Sequence, residues 1–118
     1  MAVQAIDHLY LEARSFETTV AFWERLGFRL AGQWGSDGHR AGRLESGEAV
    51  IVLAESSTPV QTVHFRLADA DAFAQRLAAQ EGVSVQTPLE ATHWGTRWIR
   101  VEDPDGRVFA LEEVDGTA

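Results

Sequence analysis

The chain has 118 residues, 45% of them hydrophobic and 24% charged, which suits one domain with a single core and excludes a disordered chain or two independent domains. Ten arginines and no lysine stand against eighteen acids, a net charge of −8 that repels phosphate backbones and argues against nucleic-acid partners. Cysteine is absent, which removes a disulfide framework, a thiolate nucleophile and any Cys-ligated metal.

The first element is an alternating, β-prone run from Val3 to Leu11 with His8 in its middle. Ser15 then caps a helix that places Phe16, Val20, Trp23 and Leu26 on one stripe, and Gly27 stops it. Strands follow over Phe28–Trp34, Arg40–Leu44 and Ala49–Ala54, divided by Gly35-Ser36-Asp37-Gly38 and Ser46-Gly47. Ser56-Ser57-Thr58-Pro59 is a natural joint. After it, Val60–Leu67 repeats the opening pattern, again with a central histidine, His64. Asp69 caps a second helix with Phe73 and Leu77 four apart, ended by Gly82. The remaining strands are a short Val83–Gln86, then Thr96–Glu102 after a loop from Pro88 to Gly95, and Arg107–Val114. An Asp103-Pro104-Asp105-Gly106 turn joins the last two. The order is βαβββ, twice: an α+β fold in one domain, 1–118, with module one at 1–56 and module two at 57–118. Two amphipathic halves that resemble each other by chance are the alternative.

Three strings carry a wider resemblance: Ile6-Asp7-His8-Leu9, Ala21-Phe22-Trp23-Glu24-Arg25-Leu26-Gly27-Phe28, and the Asp103-to-Gly106 turn. In this order, and within a doubled βαβββ pattern, they resemble the vicinal oxygen chelate superfamily. That group includes glyoxalase I, extradiol dioxygenases, fosfomycin-resistance transferases and bleomycin-resistance proteins. Ala21-Phe22-Trp23 and Trp94-Gly95-Thr96-Arg97 look most like the bleomycin-resistance branch. The resemblance implies paired modules forming a cup-shaped mixed sheet, commonly in a homodimer whose cups draw on one chain or both.

Metal-dependent members of that family hold the ion with a histidine on the first strand, a histidine or glutamine on the fifth and a glutamate on the eighth. Many add a glutamate on the fourth. His8 and His64 match the first two positions. The usual eighth-strand position falls on Ala110 and the fourth-strand one on Val52. Glu112 faces the same side as Ala110 but lies about 6–7 Å further along the strand. Two imidazoles alone hold a divalent ion weakly, so no metal is favoured here. The alternative is Zn, Mn, Ni or Fe held by His8, His64 and Glu112, with His39 or Glu48 as other candidates to complete a site.

Alternation also predicts the cup lining. Ile6, Tyr10 and Glu12 share the His8 face, and Thr62 and Arg66 share that of His64. Val50, Val52 and Ala54 join them, with Trp98, Arg100, Val108 and Ala110, inside a rim of Glu12, Glu48, Glu102 and Glu112. Trp34 and Trp94 are placed to overhang it. An apolar, aromatic pocket with an acidic rim suits a flat and cationic ligand. Glutamates standing in water at strand ends, and tryptophans filling the core, are the plainer alternative. The expected pocket is His8, Tyr10, Val50, Val52, His64, Arg66, Trp98, Arg100, Ala110 and Glu112.

Other chemistries drop out. The serines lack a nucleophile-elbow context, and no glycine-rich loop joins a strand to a helix in the phosphate-binding manner. Glu112 and Glu113 face opposite sides of one strand and cannot form a dyad. No apolar run approaches the roughly 20 residues of a membrane span, and the start lacks a secretory signature, so a cytoplasmic protein is expected. The favoured function is a bleomycin-resistance-type binding protein that sequesters an aromatic, cationic metabolite or antibiotic. The alternative is a metal-dependent lyase, isomerase, dioxygenase or thiol transferase.

Overall fold

The computed structural model describes residues 2–113. The elements run β1 (Val3–Ala13), α1 (Phe16–Arg25), β2 (Arg29–Trp34), β3 (Ala41–Ser46), β4 (Ala49–Glu55), β5 (Gln61–Leu67), α2 (Ala70–Ala78), β6 (Ser84–Ala91), β7 (Arg97–Glu102) and β8 (Val108–Glu113). This is the expected α+β order of two βαβββ modules. The expected last strand reached Val114, which lies outside the described residues. The eight strands form one mixed sheet in the order β2-β3-β4-β1-β5-β8-β7-β6. Each module closes on itself alike: β1 runs parallel to β4 and β5 parallel to β8, while β2–β3, β3–β4, β6–β7 and β7–β8 are antiparallel.

By internal contacts the residues fall into two compact units, His8–Thr62 and the remainder. In the unit spanning His8–Thr62, Ser15 caps α1 as its sequence context implies. Its side chain accepts from the Thr18 N–H at 3.3 Å, and Gly27 ends the helix at φ +100°. Phe16 and Val20 enter a core with Leu44, Ile51 and Leu53, and Trp23 packs against it. Leu26, expected on the same stripe, is instead 58% exposed: it follows the last helical residue, where the 3.6-residue period no longer applies.

Gly42 on β3 explains how closely α1 and β2 approach that core. A Cβ there would lie 2.9 Å from the Gly32 carbonyl oxygen and 3.0 Å from both Leu30 Cδ1 and Phe16 Cζ. Gly42→Ala is therefore expected to destabilise the protein by about 1–3 kcal/mol through overpacking. An unchanged urea midpoint would refute the close approach.

In the other unit, Asp69 caps α2 from a left-handed backbone (φ +51°), accepting from the Ala72 N–H at 3.3 Å. Leu67, Ala70, Ile99 and Leu111 are buried together, with Phe73, Leu77 and Leu89 packed against them. The expected Val83–Gln86 strand and Pro88–Gly95 loop are corrected here: β6 continues through Pro88 to Ala91. Proline survives because β6 is the edge strand and its pairing with β7 slips twice, between Val85 and Thr87 and between Thr87 and Glu90. An edge or a bulge spares the ladder the donor proline lacks.

Candidate functional site

Strand register brings six of the expected pocket residues onto one face of β5, β8 and β7. His64 pairs with Ala110 and Ala110 with Arg100, while Arg66 pairs with Glu112 and Glu112 with Trp98. Directly opposed residues point to the same side of a sheet, so two rows run across the strands. One row is His64–Ala110–Arg100 and the other Arg66–Glu112–Trp98.

Glu112 is the centre of this face. It is 2% exposed, which corrects its expected place on a solvated rim. Its Oε1 lies 2.9 Å from His64 Nδ1. Its Oε2 accepts from the Trp94 indole N–H at 2.7 Å and from the Thr96 hydroxyl at 2.5 Å. The expectation that Glu112 lies too far along β8 holds for the backbone, since Glu112 pairs with Arg66 rather than His64. Side-chain length reverses the outcome, because the carboxylate reaches back to the imidazole.

Burial by itself pushes the Glu112 pKa up. Donation from His64, Thr96 and Trp94 outweighs that and brings the pKa down to about 2. An ionised carboxylate only accepts, so His64 Nδ1 carries the proton of this bond. Because the folded pKa lies below the unfolded value, Glu112 stabilises the fold above about pH 4.5, and that contribution is lost as pH falls towards 2. Trp94→Phe deletes one donor and is expected to move acid unfolding to higher pH. Identical acid-unfolding midpoints for the two proteins would contradict this.

An aromatic wall stands beside the carboxylate. Trp94 and Trp98 meet edge to face at 5.1 Å, and Trp98 lies 6.0 Å from the His64 ring. Trp98 donates its indole N–H to Glu90 Oε1 at 3.0 Å and carries the Arg100 guanidinium 5.0 Å over its ring. Trp94 is 49% exposed, so the wall has a wet edge. Thr96 is the partner that sequence reasoning passed over. Its signal is positional: it precedes β7 and bonds Thr92 across the hairpin, hydroxyl to hydroxyl at 2.8 Å.

Tyr10, Val50 and Val52 belong to the β1–β4 pair, where Tyr10 is in register with Val52. Val50 and Val52 alternate with the buried Ile51 and Leu53, so they face away from the core. The Tyr10 hydroxyl donates to Glu12 Oε2 at 2.8 Å. Burial, reinforced by Glu12, pushes the phenol pKa up to about 12. Glu12 Oε1 also accepts from the Val60 N–H at 3.3 Å, so Glu12 holds local structure as well as lining a face. Arg66 pairs with Asp7 at 3.5 Å.

His8, His64 and Glu112 form a His-His-Glu group whose candidate ligand atoms all lie within 4.8 Å of one another. Two imidazoles and one carboxylate suit zinc, manganese, iron or nickel and leave coordination positions for a substrate. The low Glu112 pKa keeps the carboxylate in its ligating form, and Trp94 and Thr96 fix its orientation. The residues fit a divalent ion.

A family model described as Glyoxalase/Bleomycin resistance protein/Dioxygenase superfamily matches residues 5–111. Among solved structures, methylmalonyl-CoA epimerase from Mycobacterium tuberculosis is 21% identical with a TM-score of 0.72, covering 95% of this chain and 89% of that one. A glyoxalase/bleomycin resistance protein/dioxygenase superfamily member from Vibrio splendidus 12B01 is 15% identical with a TM-score of 0.75, covering 94% and 98%. A hypothetical protein from Bacillus halodurans C-125 is 16% identical, again at 0.75, covering 96% of both chains. At these identities the likeness is one of fold. A search of curated proteins finds no match.

Proposed function

The chain belongs to the Glyoxalase/Bleomycin resistance protein/Dioxygenase superfamily, and on that premise we propose that it is a metal-dependent enzyme acting on a small organic substrate. The observation that supports this most is the His-His-Glu group of His8, His64 and Glu112. A bound divalent ion supplies Lewis-acid polarisation of substrate oxygens, the chemistry common to lyase, isomerase, dioxygenase and thiol-transferase reactions. The protein's own residues do the rest. His8, His64 and Glu112 hold the ion, and Trp94 and Thr96 keep Glu112 ionised and aimed. Trp94 and Trp98 wall the substrate from water on one side. Carboxylate-bearing thioesters, such as the methylmalonyl-CoA bound in one epimerase of this fold, are reasonable first substrates to assay.

This reading prefers the enzyme over the bleomycin-resistance-type binder expected from the sequence. The binder keeps one observation in its favour: Glu112 already accepts three hydrogen bonds from the protein, so the pocket is satisfied without an ion. Under either reading the protein is proposed to be cytoplasmic and homodimeric, with the exposed Phe22 and Leu26 at the end of α1 supporting self-association. Metal analysis of the purified protein and calorimetric titration of Mn, Ni and Zn into the chelator-stripped form decide between the two. Stoichiometric binding, lost in His64→Ala, is expected. No heat with any of the three ions would leave the binding reading.

A further inference from the structure

The arginines of the described chain are mostly matched with acids. Arg29 and Arg43 pair with Glu45, Arg40 with Glu17 and Glu55, Arg66 with Asp7, Arg97 with Asp71 and Glu113, and Arg107 with Asp103 and Asp105. Arg100 differs. Its Nε donates to the Thr87 hydroxyl at 3.1 Å and its guanidinium lies 5.0 Å over the Trp98 ring, and among the described residues it has no carboxylate partner. It is half-buried on β7, so this cation is only partly solvated and its charge is not neutralised.

Its place is informative. Arg100, Ala110 and His64 occupy one row across β7, β8 and β5. The strands of Arg100 and His64 are therefore two spacings apart, about 9–10 Å. The residue between them is Ala110, whose methyl group forms a low floor rather than a barrier. Three acids share this face and none is paired with the arginine: Glu112 is engaged by His64, Trp94 and Thr96, Glu90 accepts from the Trp98 indole, and Glu102, two residues along β7, forms no ion pair with Arg100. Stacking on Trp98 and the Thr87 bond orient the guanidinium plane in advance, which lowers the entropy lost when it grips a planar anion.

Resting on the reading of His64 and Glu112 as a reaction centre, we propose that Arg100 anchors a carboxylate of the substrate, so that the protein acts on short-chain carboxylic acids or their derivatives. The carboxylate docks on Arg100, the carbon chain crosses Ala110 against Trp98, and the reacting oxygens face His64. The acidic rim expected from sequence points to a cation. Arg100 is an unpaired charge of the opposite sign in the row that ends at His64.

The test uses malonate and its neutral isostere malonamide, titrated into metal-free and Mn-loaded protein with tryptophan fluorescence and calorimetry. Malonate is expected to bind wild type and to lose about 10- to 100-fold in affinity in Arg100→Met, the scale of a charge-assisted bidentate contact. Arg100→Lys, which keeps a charge but not the fork, is expected to lose several-fold and guards against misfolding of the Met variant. Malonamide should bind both proteins alike, and Mn affinity should not change. Equal malonate affinity in wild type and Arg100→Met, or no binding to wild type at tens of millimolar, overturns the anchor. If Mn fails to bind while Arg100-dependent malonate binding persists, the anchor stands and the metal reading falls. If Mn binds and malonate ignores Arg100, the anchor falls alone.

Discussion

Glu112→Ala is expected to abolish metal binding and to cost about 2–4 kcal/mol of stability, because it removes one acceptor from three converging donors. His64 Nδ1, the Trp94 indole and the Thr96 hydroxyl all point at the Glu112 carboxylate. His64 is itself buried, so its donor cannot turn to water. Trp94 is half-exposed and recovers part of its hydration, which keeps the loss below that of a fully buried network. Glu112→Gln separates charge from shape. The amide fills the same space and its oxygen still accepts from Trp94 and Thr96, while its NH2 group faces His64, which must change tautomer to accept. Stability should fall by only about 1 kcal/mol. Metal affinity should still fall by at least about 100-fold, since a neutral amide is a poor ligand for a divalent ion in a site with a single carboxylate. Denaturation midpoints and calorimetry with Mn on the three proteins measure both effects. Wild-type metal affinity in Glu112→Gln would remove Glu112 from the ligand set.

Much of the fold is legible because its signals are local. Ser15 and Asp69 act as caps because a cap needs only its own helix's first turn. The repeat shows in His8 and His64, which stand at matching places on β1 and β5. Pro88 misleads for the converse reason. A proline reads as a strand breaker unless the strand is known to be an edge, and edge position is a property of the assembled sheet. Glu112 misleads in another way. Period-two counting follows Cα positions, and the register does place Glu112 one step past His64. What decides its role is the reach of its side chain and the Trp94 and Thr96 donors, which the loop before β7 delivers from 16 to 18 residues upstream. No window of sequence contains that meeting. The internal symmetry offers a partial clue. Matching His8 with His64 along the two parallel strand pairs makes Val52, in register with Tyr10, the counterpart of Glu112, in register with Arg66. On that alignment the eighth-strand position to inspect is Glu112 rather than Ala110.

The neighbouring residue gives the sharpest contrast. Glu113 is also buried, but it faces the helix side, where its Oε2 accepts from the Ala70 N–H at 2.9 Å at the first residue of α2. Its Oε1 accepts from Arg97 Nη2 at 2.8 Å and Nε at 3.1 Å. Arg97 in turn holds Asp71 through two 3.1 Å bonds. Arg97→Met is therefore expected to lower the urea midpoint clearly, because a buried carboxylate loses its cation and keeps only a helix N-terminus. Asp71→Asn should lower it far less, since Asp71 stands in water and exposed pairs contribute little. Neither change touches the face that carries His64 and Glu112, so Mn affinity should stay within a few-fold of wild type in both. Urea titrations and Mn calorimetry on the two variants test this together. Equal stability losses would show that the buried Glu113 does not depend on Arg97. A large loss of Mn affinity in Arg97→Met would show that the two faces of β8 are coupled. If both expectations hold, adjacent glutamates on one strand divide the work: Glu113 ties the helix to the sheet, and Glu112 is free to serve the site because the fold does not need its charge for that purpose.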